Sequence, residues 1–236
     1  FEGKQNPYLD LLQGWKNRQA FNERPLGPYS EKYLEDFAAG TTSVEAADKE
    51  GWVVSITPSG GWVPACIAGN TGVGLSQRMQ SFVLDSSINP FNVVEPGKRP
   101  RVTLTPSMAL KDGKPYLAFG VQGGDTQDQN LLQFFLNMVE FGMTIQQATE
   151  APNFNTNQLW LSLGGSAIAD RKPKSGQIIL SKSTPLSTLE KLKAMGYFIR
   201  TEERTSGPIN AILFDHKYGT MWGGSSNHGE DYGIGW

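Results

Sequence analysis

The sequence predicts an α+β fold in which antiparallel sheets are covered by helices. Runs of strand-forming residues come in pairs, and turn signals at residues 48–51 and 111–114 join two of these pairs as hairpins. Between residues 126 and 141, apolar residues recur at helical spacing. No strand–helix–strand unit is repeated along the chain, which favours antiparallel over parallel sheets.

Composition describes an ordinary globular protein and excludes several classes of function. The chain has 236 residues, of which 38% are hydrophobic and 19% charged, and its formal net charge of −2 gives no reason to expect a nucleic acid partner. No apolar run reaches the roughly 18 residues that span a bilayer, so membrane insertion is not expected. The two histidines lack clustered cysteines and no phosphate-binding glycine loop is present, so neither a metal nor a cofactor is expected.

The first 40 residues differ in sequence pattern from the rest of the chain. Helical patterns flank a Pro/Gly stretch at residues 24–28, and a small, flexible junction ends at Gly40. We therefore divide the chain into a segment, residues 1–40, and a domain, residues 41–236. Since the chain begins at Phe1, the sequence leaves its cellular compartment undetermined.

The predicted strands and helices of the domain follow from alternating polar and apolar residues, from helical spacing and from turn signals. The predicted strands cover residues 42–47, 52–57, 105–110, 115–121, 159–163, 178–180, 197–201, 209–214 and 220–224. The predicted helices cover residues 126–141, 145–150 and 185–195. Residues 63–98 are predicted to be mostly irregular.

A threonine at the start of the first predicted strand is the candidate nucleophile. Its hydroxyl is a poor nucleophile until a base takes the proton, and a free α-amine, with a pKa of about 7.7–8.0, supplies such a base. This chemistry requires the Gly40–Thr41 peptide bond to be cut, and the hydroxyl of Thr41 could itself attack the unobstructed carbonyl of Gly40. On Gly40-Thr41-Thr42 alone, a loop leading into a strand is the simpler explanation.

A pair of glycines is the candidate oxyanion site. Gly123 and Gly124 lie where a predicted strand passes into a helix, and backbone N–H groups at such a point converge on an anion. A turn that needs positive φ explains the same pair without catalysis. Thr57 and Ser59 end a strand that pairs with the one after Thr41, so they could hydrogen-bond its amine and hydroxyl, although surface turn residues look the same.

Other catalytic arrangements find less support. His216 lies in a turn signal, and no G-x-S-x-G motif accompanies His228, so a serine triad is not expected. The single cysteine, Cys66, lies among apolar residues and is predicted to be a small buried side chain rather than a reactive thiol.

Taken in order, these residues resemble the small subunit of the gamma-glutamyltransferase family of N-terminal nucleophile hydrolases. The resemblance covers residues 41–236. Its motifs are Thr41-Thr42, Ser55-Ile56-Thr57, Gly72-Val73-Gly74-Leu75, Pro96-Gly97-Lys98-Arg99-Pro100, Lys111-Asp112-Gly113-Lys114, Gly123-Gly124, Glu150-Ala151-Pro152 and Trp222-Gly223-Gly224-Ser225. Each motif is weak, whereas the ordered series is specific.

The resemblance implies an αββα sandwich and an enzyme that cleaves itself between Gly40 and Thr41. It implies acyl transfer from an amide to Thr41, and from there to water or an amine. The family's roles fall on Thr41 as nucleophile, on Gly123 and Gly124 as oxyanion donors, and on Ser59, where a second threonine is usual.

The implied partners are a large subunit and a small acyl-amide substrate. Residues 1–40 would be the tail of that large subunit, cut from the same precursor, and a higher oligomer is left open.

The positions that bind substrate in this family depart from its pattern. An asparagine, a glutamine or glutamate, an ammonium-binding aspartate and a serine pair are replaced by Gly61, Arg78, Ser81 and Val102-Thr103. Ser81 removes the charge partner of the ammonium, and Arg78 would repel it by about 1 kcal/mol at ~4 Å in water and by more in a less polar pocket.

Three alternatives stay open. The acyl group is either γ-glutamyl or, as in glutaryl and cephalosporin acylases, a group with a carboxylate but no α-ammonium, which Arg78 favours. Outside the enzymes, the alternative is a catalytically silent binding protein that keeps the fold.

Overall fold

The computed structural model describes residues 41–60, 67–76, 78–159, 172–227 and 231–235. In these ranges the strands are β1 (Val44–Ala47), β2 (Val53–Ile56), β3 (Ser107–Lys111), β4 (Lys114–Val121), β5 (Phe154–Thr156), β6 (Gln177–Ser181), β7 (Phe198–Glu202), β8 (Ile209–Asp215) and β9 (Thr220–Ser225). The α-helices are α1 (Gln127–Val139), α2 (Ile145–Glu150) and α3 (Leu186–Ala194), and short 3-10 turns lie at Arg78–Ser81 and Gly124–Thr126.

The central sheet has the strand order β3-β4-β8-β9 and is antiparallel throughout. Alternate residues of a strand point to opposite faces, so Leu117, Phe119 and Val121 of β4 share one face. Helices α1 and α2 pack there, and the ring of Phe119 lies 5.5 Å from that of Phe134 in α1. The core consists of Leu117, Phe119, Val121, Leu131, Phe134, Met138, Ile145, Ala148, Ile209 and Ala211.

The β1–β2 hairpin contacts β4 through a different set of residues. The carboxylate of Asp48 accepts hydrogen bonds from the N–H groups of Glu50 and Trp52, which fixes the hairpin turn. The Ser55 hydroxyl donates to the carbonyl of Phe119 at 3.3 Å. A Cβ atom on Gly120 would lie only 2.9 Å from Cβ of Ser43, so this close approach requires a glycine.

A third sheet has the order β5-β6-β7. Strand β5 pairs with β6 antiparallel, whereas β6 and β7 pair parallel, with Gln177 opposite Phe198. Helix α3 connects β6 to β7, and a connection of this kind is what a parallel pair requires.

The structure confirms a mixed α+β protein with antiparallel sheets and helices. The parallel pair β6–β7 corrects the expectation of antiparallel pairing alone, and β5, only three residues long, was not predicted. Of the strand predicted at residues 159–163, Leu159 is irregular and the remainder lies outside the described residues, as do the helical patterns of residues 1–40. In the described ranges, no helix is both long and apolar enough to cross a membrane.

Candidate active site

Thr41 lies directly before β1 and its side chain is buried, with 8% of the residue surface exposed. The Thr41 hydroxyl lies 3.2 Å from the hydroxyl oxygen of Ser59, to which it donates a hydrogen bond. The N–H of Thr42 donates to the carbonyl of Pro58 at 3.4 Å. The pairing of the hairpin therefore continues past β1 and β2 and brings Thr41 beside Ser59.

Thr57 is also buried, and in the part of the chain that the structure describes its hydroxyl has no hydrogen-bond partner. Leaving a buried polar group without a partner costs on the order of 1–3 kcal/mol, so such groups are rare and often lie in functional sites. The structure thus joins Thr41 to Ser59 and leaves the Thr57 hydroxyl available.

Gly123 and Gly124 lie between the end of β4 and the 3-10 turn that leads into α1. Their φ angles are 137° and 57°, in the region that favours glycine. The carbonyl of Gly123 accepts from both the N–H and the hydroxyl of Thr126, and the N–H of Gln122 donates to the carbonyl of Pro208. In the described part of the chain, neither glycine N–H makes a backbone hydrogen bond, so both donors are available to an anion.

Contacts between the hairpin and the central sheet join the two chain segments that carry Thr41 and the glycine pair. Ser43 is two residues after Thr41, Gly120 is three residues before Gly123, and Ser43 and Gly120 lie against each other. The candidate nucleophile and the first of the two glycines are therefore two and three residues, respectively, from the contact between Ser43 and Gly120.

The predicted substrate-binding residues form a second group. Arg78 is 95% buried, since 5% of its surface is exposed, and its Nη1 donates to the hydroxyl of Thr103 at 3.1 Å. The hydroxyl of Ser81 lies 2.8 Å from the carbonyl oxygens of Arg78 and Arg101, to which it donates. Val102 is about half exposed and takes no part in these contacts.

Burial lowers the pKa of the Arg78 guanidinium, and the negative charge of Asp125 opposes that shift. Asp125 directly follows Gly124 and forms an ion pair with Arg101, with Nη2 and Oδ1 3.3 Å apart. The Arg78 group is therefore linked to the turn that carries Gly123 and Gly124.

A hydroxyl connects the Arg78 group to the nucleophile as well. Ser76 Oγ accepts from the N–H of Arg78 at 3.1 Å and donates to the carbonyl of Gly60 at 3.2 Å. Gly60 follows Ser59, the hydrogen-bond partner of Thr41. Contacts thus run from Thr41 through Ser59 to Arg78.

A partly buried carboxylate near the nucleophile was not predicted. Glu45 accepts from the hydroxyls of Ser43 and Ser55, and burial raises its pKa to about 7, with a contribution from the negative charge of Asp231. Burial likewise raises the pKa of Asp231. The sequence signal is the alternation of Ser43, just before β1, and Glu45, which puts both polar side chains on one face of the extended chain.

Several singled-out residues lie outside the described residues, namely Gly40, Gly61, Cys66 and His228. His216 is exposed in the turn after β8, and its Nε2 lies 2.6 Å from the carbonyl oxygen of Pro115. Among the described residues, no group of three histidine, cysteine or acidic side chains could hold a metal ion.

Comparison with known proteins gives a consistent result. The family model described as gamma-glutamyltranspeptidase matches residues 9–236. The glutathione hydrolase proenzyme of Bacillus subtilis (strain 168) is 32% identical over 249 residues, which cover 96% of this chain and 38% of that protein. An acylase ACY 1 proenzyme of Pseudomonas sp. (strain V22) is 29% identical over 187 residues, covering 79% of this chain and 30% of that protein.

The fold agrees with the sequence match. A gamma-glutamyltranspeptidase from Pseudomonas nitroreducens, solved in complex with L-DON, aligns with a TM-score of 0.65 at 24% identity, covering 83% of this chain and 100% of that one. The chain belongs to the gamma-glutamyltranspeptidase family. It spans less than two fifths of the length of the curated relatives named above.

Proposed function

We propose that the chain carries the catalytic centre of an autoprocessing amidohydrolase or acyltransferase, in which Thr41 is the N-terminal nucleophile. The observation that carries this proposal is the buried Thr41 hydroxyl, which lies at the start of β1 and is hydrogen-bonded to Ser59 at 3.2 Å. The family to which the chain belongs, and its proenzyme relatives, support the same assignment.

The reaction begins once the Gly40–Thr41 bond has been cut. The α-amine of Thr41 takes the hydroxyl proton while the oxygen attacks the carbonyl carbon of an acyl amide. The N–H groups of Gly123 and Gly124 donate to the resulting oxyanion, and one such donor is typically worth ~10²–10³ in rate. The proton passes to the leaving amine as the C–N bond breaks, and an ester on Thr41 remains.

Water or an amine then attacks that ester and releases the acyl group, which regenerates the threonine. Ser59 positions the nucleophilic oxygen throughout. The unpartnered hydroxyl of Thr57 is available to hold the α-amine, and this role would explain a buried group without a partner.

The rest of the site would come from a large subunit cut from the same precursor, with residues 1–40 as its tail. The outer face of the β1–β2 hairpin supports such a partner, because Val44, Val54 and Ile56 are 52%, 40% and 51% exposed. Covering that face would complete an αββα sandwich.

The substrate would be a small amide with a γ-glutamyl or related acyl group. Relatives named glutathione hydrolase and acylase support both donor classes. A silent homologue is the alternative, and failure to label Thr41 with an electrophilic substrate mimic would favour it.

The test is the processing of the whole precursor. Mass spectrometry of the purified protein should show two chains, one of which starts at Thr41. Thr41→Ala should leave a single chain without amidase activity, whereas Thr42→Ala, at the neighbouring exposed threonine, should be processed normally. An uncut wild-type chain with full activity would refute the mechanism.

A further inference from the structure

We propose that Arg78 is a carboxylate receptor, and that the preferred substrate is an amide whose acyl group ends in a carboxylate with no neighbouring ammonium. The inference deepens the proposed function and rests on it for the reaction at Thr41. It identifies the class of acyl group through the contacts that Arg78 makes and those it lacks.

Only part of the Arg78 guanidinium is hydrogen-bonded within the described residues, and the edge formed by Nε and Nη2 is vacant. Nη1 donates to Thr103, whereas Nε and Nη2 are buried and have no hydrogen-bond partner among the described residues. Nε and Nη2 share one edge of the planar guanidinium, and two parallel N–H groups on such an edge match the two oxygens of a carboxylate. The vacant edge therefore has the geometry of a carboxylate site.

The local charges favour an anion over a zwitterion. Asp125 is the carboxylate whose charge acts on Arg78 within the described residues, and Asp125 is already paired with Arg101 at 3.3 Å. Arg78 itself forms no ion pair within the described residues, because Asp125 is engaged with Arg101. Burying an uncompensated cation is costly, and a bound carboxylate would relieve that cost.

The same group offers no counter-charge for an ammonium. Ser81 is neutral, and its hydroxyl donates to the main-chain carbonyls of Arg78 and Arg101. An α-ammonium on the substrate would therefore lie beside Arg78 with only an ion-paired Asp125 to offset the repulsion.

A chain of contacts links the nucleophile to the loop that carries the receptor. It passes from Thr41 to Ser59 and then, through Gly60 and Ser76, to the backbone N–H of Arg78. A carboxylate on Arg78 would hold one end of a short acyl chain while its amide carbonyl lies at Thr41. The substrates that fit this arrangement are half-amides of short dicarboxylic acids.

The experiment compares three p-nitroanilides with the processed full-length protein: glutaryl, γ-glutamyl and valeryl, the last lacking both charges. The wild-type protein should hydrolyse the glutaryl compound with the highest kcat/KM. In Arg78→Met, kcat/KM for the glutaryl compound should fall roughly 100-fold, the scale expected for loss of a buried charge pair, with little change for the valeryl compound. Arg99→Met, at an exposed arginine, is the matched control and should leave all three rates unchanged.

Two results would overturn the inference. They are an equal loss on the glutaryl and valeryl compounds in Arg78→Met, and a wild-type preference for the γ-glutamyl compound. If Arg78→Met does not fold, Arg78→Lys keeps the charge but not the two-pronged edge, and it should reduce the preference for glutaryl over valeryl about 10-fold.

Calorimetric binding of glutarate separates this inference from the proposed function. Glutarate that binds the wild-type protein but not Arg78→Met, without turnover of any anilide, would support the receptor and refute the catalytic proposal. Equal affinity in both proteins would refute the receptor whatever the turnover.

Discussion

The contact between Gly120 and the hairpin gives a sharp prediction about how Thr41 is positioned. In Gly120→Ala, the new Cβ would lie 2.9 Å from Cβ of Ser43 and would overlap with Oε1 of Glu45. The Glu45 carboxylate can rotate away, although its hydrogen bonds to Ser43 and Ser55 would then be weakened. The Ser43 Cβ is attached to the backbone of the strand, so β1 itself must shift.

The size of the effect follows from that shift. An ordinary carbon–carbon contact is about 3.5–4.0 Å, so β1 must move by roughly 0.6 Å or more, two residues from the nucleophile. Overpacking of this kind costs about 1–3 kcal/mol of stability, and a misplacement of ~1 Å in a catalytic group costs on the order of 10²-fold in rate. We expect Gly120→Ala to slow both cleavage before Thr41 and anilide hydrolysis by about 10- to 100-fold.

Two other glycines provide matched controls. Gly223, in β9 of the same sheet, has no atom within 4 Å of an added Cβ, so Gly223→Ala should be normal in stability and rate. In Gly224→Ala the Cβ would lie 2.7 Å from Cγ1 of Ile145, which should lower the melting temperature through the core. Gel analysis of precursor processing over time, anilide kinetics and thermal melting measure the three variants side by side.

The comparison separates general destabilisation from displacement of Thr41. Processing and turnover should fall much further in Gly120→Ala than in Gly224→Ala at equal loss of melting temperature. Wild-type rates in Gly120→Ala, or an equal loss of rate in Gly223→Ala, would refute the reasoning.

Two further predictions concern the neighbours of Thr41. Ser59→Ala should reduce kcat roughly 3- to 10-fold, the scale of one lost hydrogen bond. Ser59→Thr keeps the hydroxyl, so its kcat should stay near that of the wild type. Equal kcat values in all three proteins would exclude a positioning role for Ser59. The folded protein keeps a proton on Glu45 up to a pKa of about 7, whereas the unfolded chain releases it near 4.5, so the free energy of unfolding should fall as pH rises between these values. Asp231, whose pKa is also raised, acts in the same direction. Urea titrations should show Glu45→Gln gaining more stability relative to wild type at pH 8 than at pH 5, and an equal difference at both would contradict this account.

Local patterns predicted most of the fold because the hairpins and helices depend on short-range signals. Strands β1 and β2 follow from alternation around a turn that Asp48 fixes with its own side chain. Helix α2 begins at Thr144, where a capping box with Gln147 satisfies the first N–H groups, and it ends before Pro152. Strand β5 and the parallel pair β6–β7 depend on pairing between distant segments, which periodicity does not encode.

In the candidate site, too, only the features with a local sequence signal could be predicted. The order of the motifs was enough to single out Thr41, Ser59 and the glycine pair, because a nucleophile at a strand start and a glycine turn leave local traces. The burial of Arg78 and the partial burial of Glu45 leave none, since a charged residue in a loop or strand is exposed far more often than it is buried.

By itself, the sequence determined the family and the strand that starts after Thr41, and it led to the hypothesis that Ser81 replaces an acidic substrate-binding residue. Only the tertiary structure decided that the hydroxyl of Ser59 lies beside Thr41 and that Arg78 is enclosed with one vacant edge. The reason is physical: residue types fix which interactions a side chain is able to make. Segments brought together from 18 to 25 residues away decide which of those interactions are made and which are left open.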